Sequence, residues 1–109
     1  MAVQRGSVVL VRFPFSDLSA SKRRPAVVLA AAGRRDYVLA QITSKPYADP
    51  NAVELTETSF ARGSLDLTSY ARPGKLFTAN DALIVREVGA LTDAALDDLT
   101  RAVVRLLKG

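Results

Sequence analysis

Residues 19–30 read SASKRRPAVVLA and set three adjacent cations, Lys22, Arg23 and Arg24, against Pro25 and an apolar run. A buried strand has no use for three positive charges at its mouth. Further on, TSKPY brings together Thr43, Ser44, Lys45 and Tyr47. Cations to neutralise phosphates, hydroxyls to donate hydrogen bonds and one ring to stack on are the makings of a site for a single-stranded phosphodiester chain. Each residue also has a plain structural use. Arg24 can lay its stem along apolar surface and keep its head in water. Thr43 can close a strand by bonding its own loop, and Tyr47 can pack beside Pro46. Residue types alone leave both uses open.

Charge sharpens the question. The chain holds 15 Lys/Arg against 11 Asp/Glu, and the excess is unevenly placed. Residues 1–48 carry eight cations against Asp17 and Asp36, whereas residues 49–109 carry seven against nine acids. Cations gathered in one half fit a polyanionic partner, though a solvated basic face has the same composition. There is no histidine and no cysteine. The commonest general base near neutral pH, the commonest metal ligands and any disulfide framework are therefore excluded. Asp17, Asp36, Asp49 and Asp66 sit singly in separate segments, the pattern of solvated loop acids, so neither a metal site nor a cofactor is expected. Neither a dinucleotide fingerprint nor a phosphate-binding loop occurs. No apolar stretch is long enough to span a bilayer, and the opening MAVQRGSVVLVRF reads as a strand rather than a signal peptide, so a cytoplasmic protein is expected.

The elements that must position these residues follow from local pattern. SVVLVRF (7–13), PAVVLAA (25–31) and YVLAQIT (37–43) read as strands, the second apolar throughout as suits the middle of a sheet. If the second and third are neighbours, the 14–24 loop and the 43–51 loop share one edge. AVEL and SLDL read as short strands, TSFARGS as a connection and SYARPG as a turn, with KLFTA and LIVREVG completing the set. Thr92 has the type of a helix N-cap, with Asp93 in the first turn. Leu96, Leu99, Val103, Leu106 and Leu107 then recur at helical spacing, and Lys108 and Gly109 close the helix. Asp97 and Arg101 stand four residues apart as a surface pair. Short strands and one terminal helix, over 109 residues, predict one mainly β domain, a small, partly open barrel with an amphipathic helix.

GSVVLVRFPFSDLSASKRRPAVVLA closely resembles the opening segment of the MazF/PemK family of bacterial toxins from toxin–antitoxin pairs. The likeness continues through AQITSKPY, SLDLTSYARPGKLFTAN and VGALTDAALDDLTRAVVRLL. What it implies is an SH3-like barrel, usually homodimeric, acting as a sequence-selective, metal-independent endoribonuclease on single-stranded RNA, with a cognate antitoxin that blocks the RNA groove. It further implies that Arg24 and Thr43 are catalytic. The loop of Phe15, Ser16, Asp17 and Leu18, with Lys22, would help hold RNA beside Arg23, Ser44, Lys45 and Tyr47. Ser64 matches a serine that recurs in the family, and Lys75 stands where some relatives carry a basic residue.

The chemistry is consistent with those types. A guanidinium grips phosphate oxygens in a planar, permanently charged fork and is a poor proton carrier. A threonine hydroxyl orients rather than abstracts. Such a pair catalyses by positioning and charge stabilisation. Two other functions suit the same fold: a CcdB-like gyrase inhibitor, and an RNA-binding module without catalysis. The KRRP step and Thr43 favour the nuclease, because gyrase poisons of this type act through a displayed C-terminal segment and RAVVRLLKG reads as a core-facing helix.

Overall fold

The computed structural model describes residues 3–13, 22–47 and 49–109. β-Branched and apolar runs form β1 (Ser7–Phe13), β2 (Lys22–Ala31) and β3 (Asp36–Thr43). β2 begins ahead of Pro25, so Arg23 and Arg24 belong to a strand, paired with Arg12 and Val11 of β1. Pairing with β3 starts at Ala26, one residue past the proline, where the ladder no longer lacks a donor. After β4 (Val53–Leu55) come β5 (Phe60–Gly63), β6 (Ser69–Asn80), β7 (Ile84–Leu91) and the helix α1 (Asp93–Lys108).

Three local expectations are overturned. SLDL is an irregular connection, not a strand. TSFARGS contains β5, whose Gly63 adopts φ +68° and lies where a Cβ would meet the Val88 carbonyl oxygen at 2.2 Å. SYARPG is not a turn, because β6 runs straight through it. The proline and glycine fall in the gap between two paired stretches of β6, Ala71 opposite Ile42 and Leu76 opposite Ala40. A missing N–H costs little in such a gap, so the punctuation bends the strand instead of ending it.

All strand pairs are antiparallel, in the order β4-β6-β3-β2-β1-β7-β5. Among the described residues the outermost strands are not paired with each other, which makes the curled sheet the partly open barrel that was expected. The central strands are covered on both faces, which explains their unbroken apolar runs. On one face Val8, Val27, Ala40 and Leu55 pack with Leu96, Leu99 and Val103 of the helix. On the other, Val9, Val11, Ala26, Val28, Leu39 and Ile84 form a second cluster. Burying one such side chain contributes roughly 1.5–3 kcal/mol.

The helix starts where expected, its Ala95 amide donating to Thr92 Oγ1 at 3.1 Å. The Thr92 amide in turn donates to the Ser59 carbonyl at 2.9 Å, tying the helix to the turn before β5. Its apolar stripe is buried only as far as Val103, since Leu106 is 42% and Leu107 73% exposed. Asp97 and Arg101 form the surface pair, at 2.9 Å. No helix among the described residues is long and apolar enough to cross a membrane.

Two polar networks hold the ends of the sheet. At one, Glu87 of β7 accepts from Ser7 Oγ at 2.5 Å and from the Arg62 guanidinium, joining β1, β7 and β5. The Arg62 hydrogen bond, aided by Ser7 and outweighing burial, lowers the Glu87 pKa. At the other, Asp49 anchors the chain between β3 and β4. Its Oδ2 accepts from Arg72 Nε at 3.2 Å, its Oδ1 from the Asn51 amide at 2.9 Å, and its carbonyl from the Ala52 amide at 3.2 Å.

A lowered carboxyl pKa contributes stability above the unfolded-state value and loses it as pH falls through the folded-state value. Glu87→Gln is therefore expected to cost about 1 kcal/mol at neutral pH. Its deficit against the parent should begin to shrink as pH falls below the ordinary glutamate value of 4.5 and vanish only under the lowered folded-state value, as urea midpoints from pH 7 down to pH 3 will show. Asp49→Ala leaves Arg72 half-buried and unpaired and should cost about 1–2 kcal/mol. Amide exchange at Asn51 and Ala52 is expected to accelerate while the amides of α1 stay protected.

A cationic groove at the open end of the sheet

The hairpin of β2 and β3 sets the site. Ala26 pairs with Gln41 at the outer end of the ladder, and Arg24 and Thr43 each stand two residues beyond it, where both line one groove. Both lie on the sheet face opposite the helix, by alternation from Ala26 and Gln41. The next strand adds to them, since Thr43 pairs with Tyr70 at the start of β6. The result is an open groove of about 350 Å³. Arg23, Arg24, Thr43, Ser44 and Lys45 line one side; the connection from β5 to β6 lines the other, through Leu65, Asp66, Leu67 and Ser69.

Within the groove Arg24 is half-buried, Arg23 and Lys45 are exposed, and among the described residues none of the three forms an ion pair. Their field is therefore open to whatever enters, opposed among the described lining residues by Asp66 alone. Other cations of the basic half are used internally. Arg5 donates to the Leu29 carbonyl at 3.0 Å and to Thr100 Oγ1 at 3.2 Å, and Arg35 pairs with Asp81 at 2.7 Å. Thr43 Oγ1 accepts from the Lys45 amide at 3.2 Å. That contact closes the strand end and occupies one lone pair, leaving the hydroxyl proton to donate into the groove.

The remaining expected residues are more scattered. Tyr47 is 81% exposed on the chain after β3 and does not line the groove. Lys75 is exposed on β6, away from the lining, and Ser64 faces a neighbouring depression. Lys22 opens β2, with its side chain outside the described set, and Phe15, Ser16 and Asp17 lie outside the described residues. Sequence reasoning missed Asp66, Leu67 and Ser69. Their signal was available as a run of turn-forming residues, Asp66, Thr68 and Ser69, with Ser69 Oγ bonding back to the Leu67 carbonyl at 2.9 Å. Among the described residues no three Asp or Glu side chains come together as metal ligands.

Several solved structures share this architecture. A mycobacterial endoribonuclease in complex with its cognate antitoxin superposes with a TM-score of 0.77 at 18% identity, over 98% of this chain and 96% of that one. A chain of the MazE–MazF complex from Deinococcus radiodurans gives 0.79 at 16% identity, over 99% and 98%. The toxin MazF-mt6 of Mycobacterium tuberculosis gives 0.72 at 16% identity, over 94% and 96%. Identities this low speak for a common fold. No curated protein matches the sequence significantly. The family model for the PemK-like, MazF-like toxins of type II toxin–antitoxin systems matches residues 4–107, nearly the whole chain, and the protein belongs to that family.

Proposed function

We propose that this toxin is a sequence-selective endoribonuclease of single-stranded RNA that needs no metal ion, with Arg24 and Thr43 as its catalytic residues. The observation that carries the reading is that Arg24 and Thr43 line one groove, beside Arg23 and Lys45, with no ion pair among the described residues to neutralise the cations.

The reaction is displacement at phosphorus by the RNA's own 2′-oxygen. A bond forms between that oxygen and phosphorus, the bond to the 5′-oxygen breaks, the 2′-hydroxyl proton leaves to solvent and the departing oxygen takes one up. Negative charge gathers on the non-bridging oxygens at the transition state. Arg24 meets it with a fork of two parallel N–H donors. Thr43, its oxygen held by the Lys45 amide, donates its proton to a phosphate oxygen and fixes the phosphate against the strand end. Arg23 and Lys45 hold flanking phosphates, and Tyr47 offers an exposed ring for an unstacked base. With no histidine in the chain, rate enhancement comes from orientation and charge stabilisation.

The same groove is where a cognate antitoxin would act, by laying acidic side chains over the free cations. The protein works as a homodimer in the cytoplasm, where mRNA and antitoxin are found.

Cleavage of a mixed-sequence single-stranded RNA in excess EDTA tests the reading. The parent should cut at a small set of sites, and not at those sites when the attacking 2′-hydroxyl is replaced by hydrogen. Arg24→Ala and Thr43→Ala should each slow cutting by on the order of 10²-fold or more while keeping the parent's melting temperature. Intact RNA that still binds in a salt-sensitive way would replace the nuclease with a binding module, and intact RNA without binding would point to a protein target.

A further inference from the structure

The strip formed by Leu65, Asp66 and Leu67 has two sides. One faces the cationic groove, and the other closes a smaller depression of about 120 Å³. It has about a third of the groove's volume, a scale that suits a single ring system. Its apolar lining comes from Leu55, which is fully buried, and from half-buried Phe60. Leu67, 67% exposed, stands between the depression and the groove with its apolar side chain uncovered.

The polar lining is the reverse of the groove's. Glu57 and Asp66 supply carboxylates, Thr56, Ser64 and Thr68 supply hydroxyls, and no cation takes part. Neither carboxylate forms an ion pair among the described residues. The wall beside Glu57 is held rigid, because the Thr56 amide donates to Ser59 Oγ at 3.0 Å and the Thr56 and Thr58 hydroxyls are bonded at 2.9 Å. Phosphate is repelled here. A neutral ring that offers N–H donors at its edge and an apolar face to Phe60 is attracted.

We propose that this depression is a nucleobase subsite next to the scissile phosphate, and that it takes guanine; the proposal rests on the nuclease reading above. Guanine presents adjacent N1–H and N2–H donors, which one carboxylate accepts as two parallel charge-assisted bonds. Adenine and cytosine each offer a single amino group. Uracil flanks its one N–H with two carbonyl oxygens, which a carboxylate repels. Unstacked bases in single-stranded RNA are read at this edge. The two cavities thus divide the work, the groove holding the backbone and the depression selecting the base beside it.

The experiment is cleavage of a random-sequence RNA pool by the parent, Asp66→Asn and Glu57→Gln, with the ends of the products sequenced. Both side chains are exposed, so the variants should fold, and melting curves will check this. The parent is expected to show guanine at one fixed offset from the cut. The ratio of guanine to uracil there should fall roughly tenfold or more in at least one variant, the effect of losing a charge-assisted bond. Guanine replaced by inosine, which lacks the 2-amino group, should lower cutting by the parent and have less effect on that variant. A parent that cuts with its base preference unchanged in both variants overturns the subsite and leaves the nuclease standing. A parent that cuts nothing overturns the nuclease reading, and the subsite with it.

Discussion

The groove hangs from the antiparallel ladder between β2 and β3. In such a ladder, residues opposite each other share a face, and moving the register by one residue turns every side chain over. Ala26 opposite Gln41, the outermost pair, therefore sets the face from which Arg24 and Thr43, each two residues further on, enter the groove. The register is secured from both sides. Val28 and Leu39 lie in one core cluster, Val27 and Ala40 in the other, so a slip would exchange the two apolar sets and strand the polar ends. Core packing and site geometry are one constraint in this hairpin. A mutation that loosens the core would blur the spacing of Arg24 and Thr43 before it unfolds the protein.

What could be read in the sequence follows from the range over which each feature is determined. The ends of β1, the close of β3 and the Thr92 cap rest on neighbours a few residues away, and these were legible. β5 and the middle of β6 were not. Pro73 and Gly74 look like a turn to any local rule, and only the pairing of β6 with β3 on either side of them shows that the strand continues. SLDL alternates as a strand should, yet its neighbours give it no partner. The site divides in the same way. Arg24 and Thr43 belong to one hairpin, so their meeting could be foreseen. Asp66, Leu67 and Ser69 arrive from another part of the sheet, by a route that depends on Thr43 pairing with Tyr70.

Charge shows a similar partition. The excess of cations in residues 1–48 suggested a polyanion, but the count mixes different kinds of arginine. Arg5 spends its donors on a strand carbonyl and a helix hydroxyl, and Arg35 closes a turn against Asp81. Elsewhere Arg62 and Arg72 are taken up by Glu87 and Asp49. Arg12 and Arg34, also without an ion pair among the described residues, stand outside the groove, while Arg23, Arg24 and Lys45 are gathered in its lining. The field that matters comes from a few side chains left without internal employment, and net charge is a poor guide to where they stand.

The place of β1 in the sheet bears on the order in which the protein is made. Of the seven described strands β1 is made before the others, and it lies between β2 and β7, with Val8 opposite both Val27 and Gly89. One flank can be satisfied early, by a hairpin, but the other waits for the seventh strand. Contacts this distant in sequence close slowly, because loop entropy is lost before any packing is gained. Until β7 is made β1 keeps an unpaired edge, and Leu99 is not yet present to cover Val8 and Val27. A nascent chain of this toxin is thus still unfinished as a folding unit while its own message is being read, and the cell has that interval before a complete core exists to support the groove.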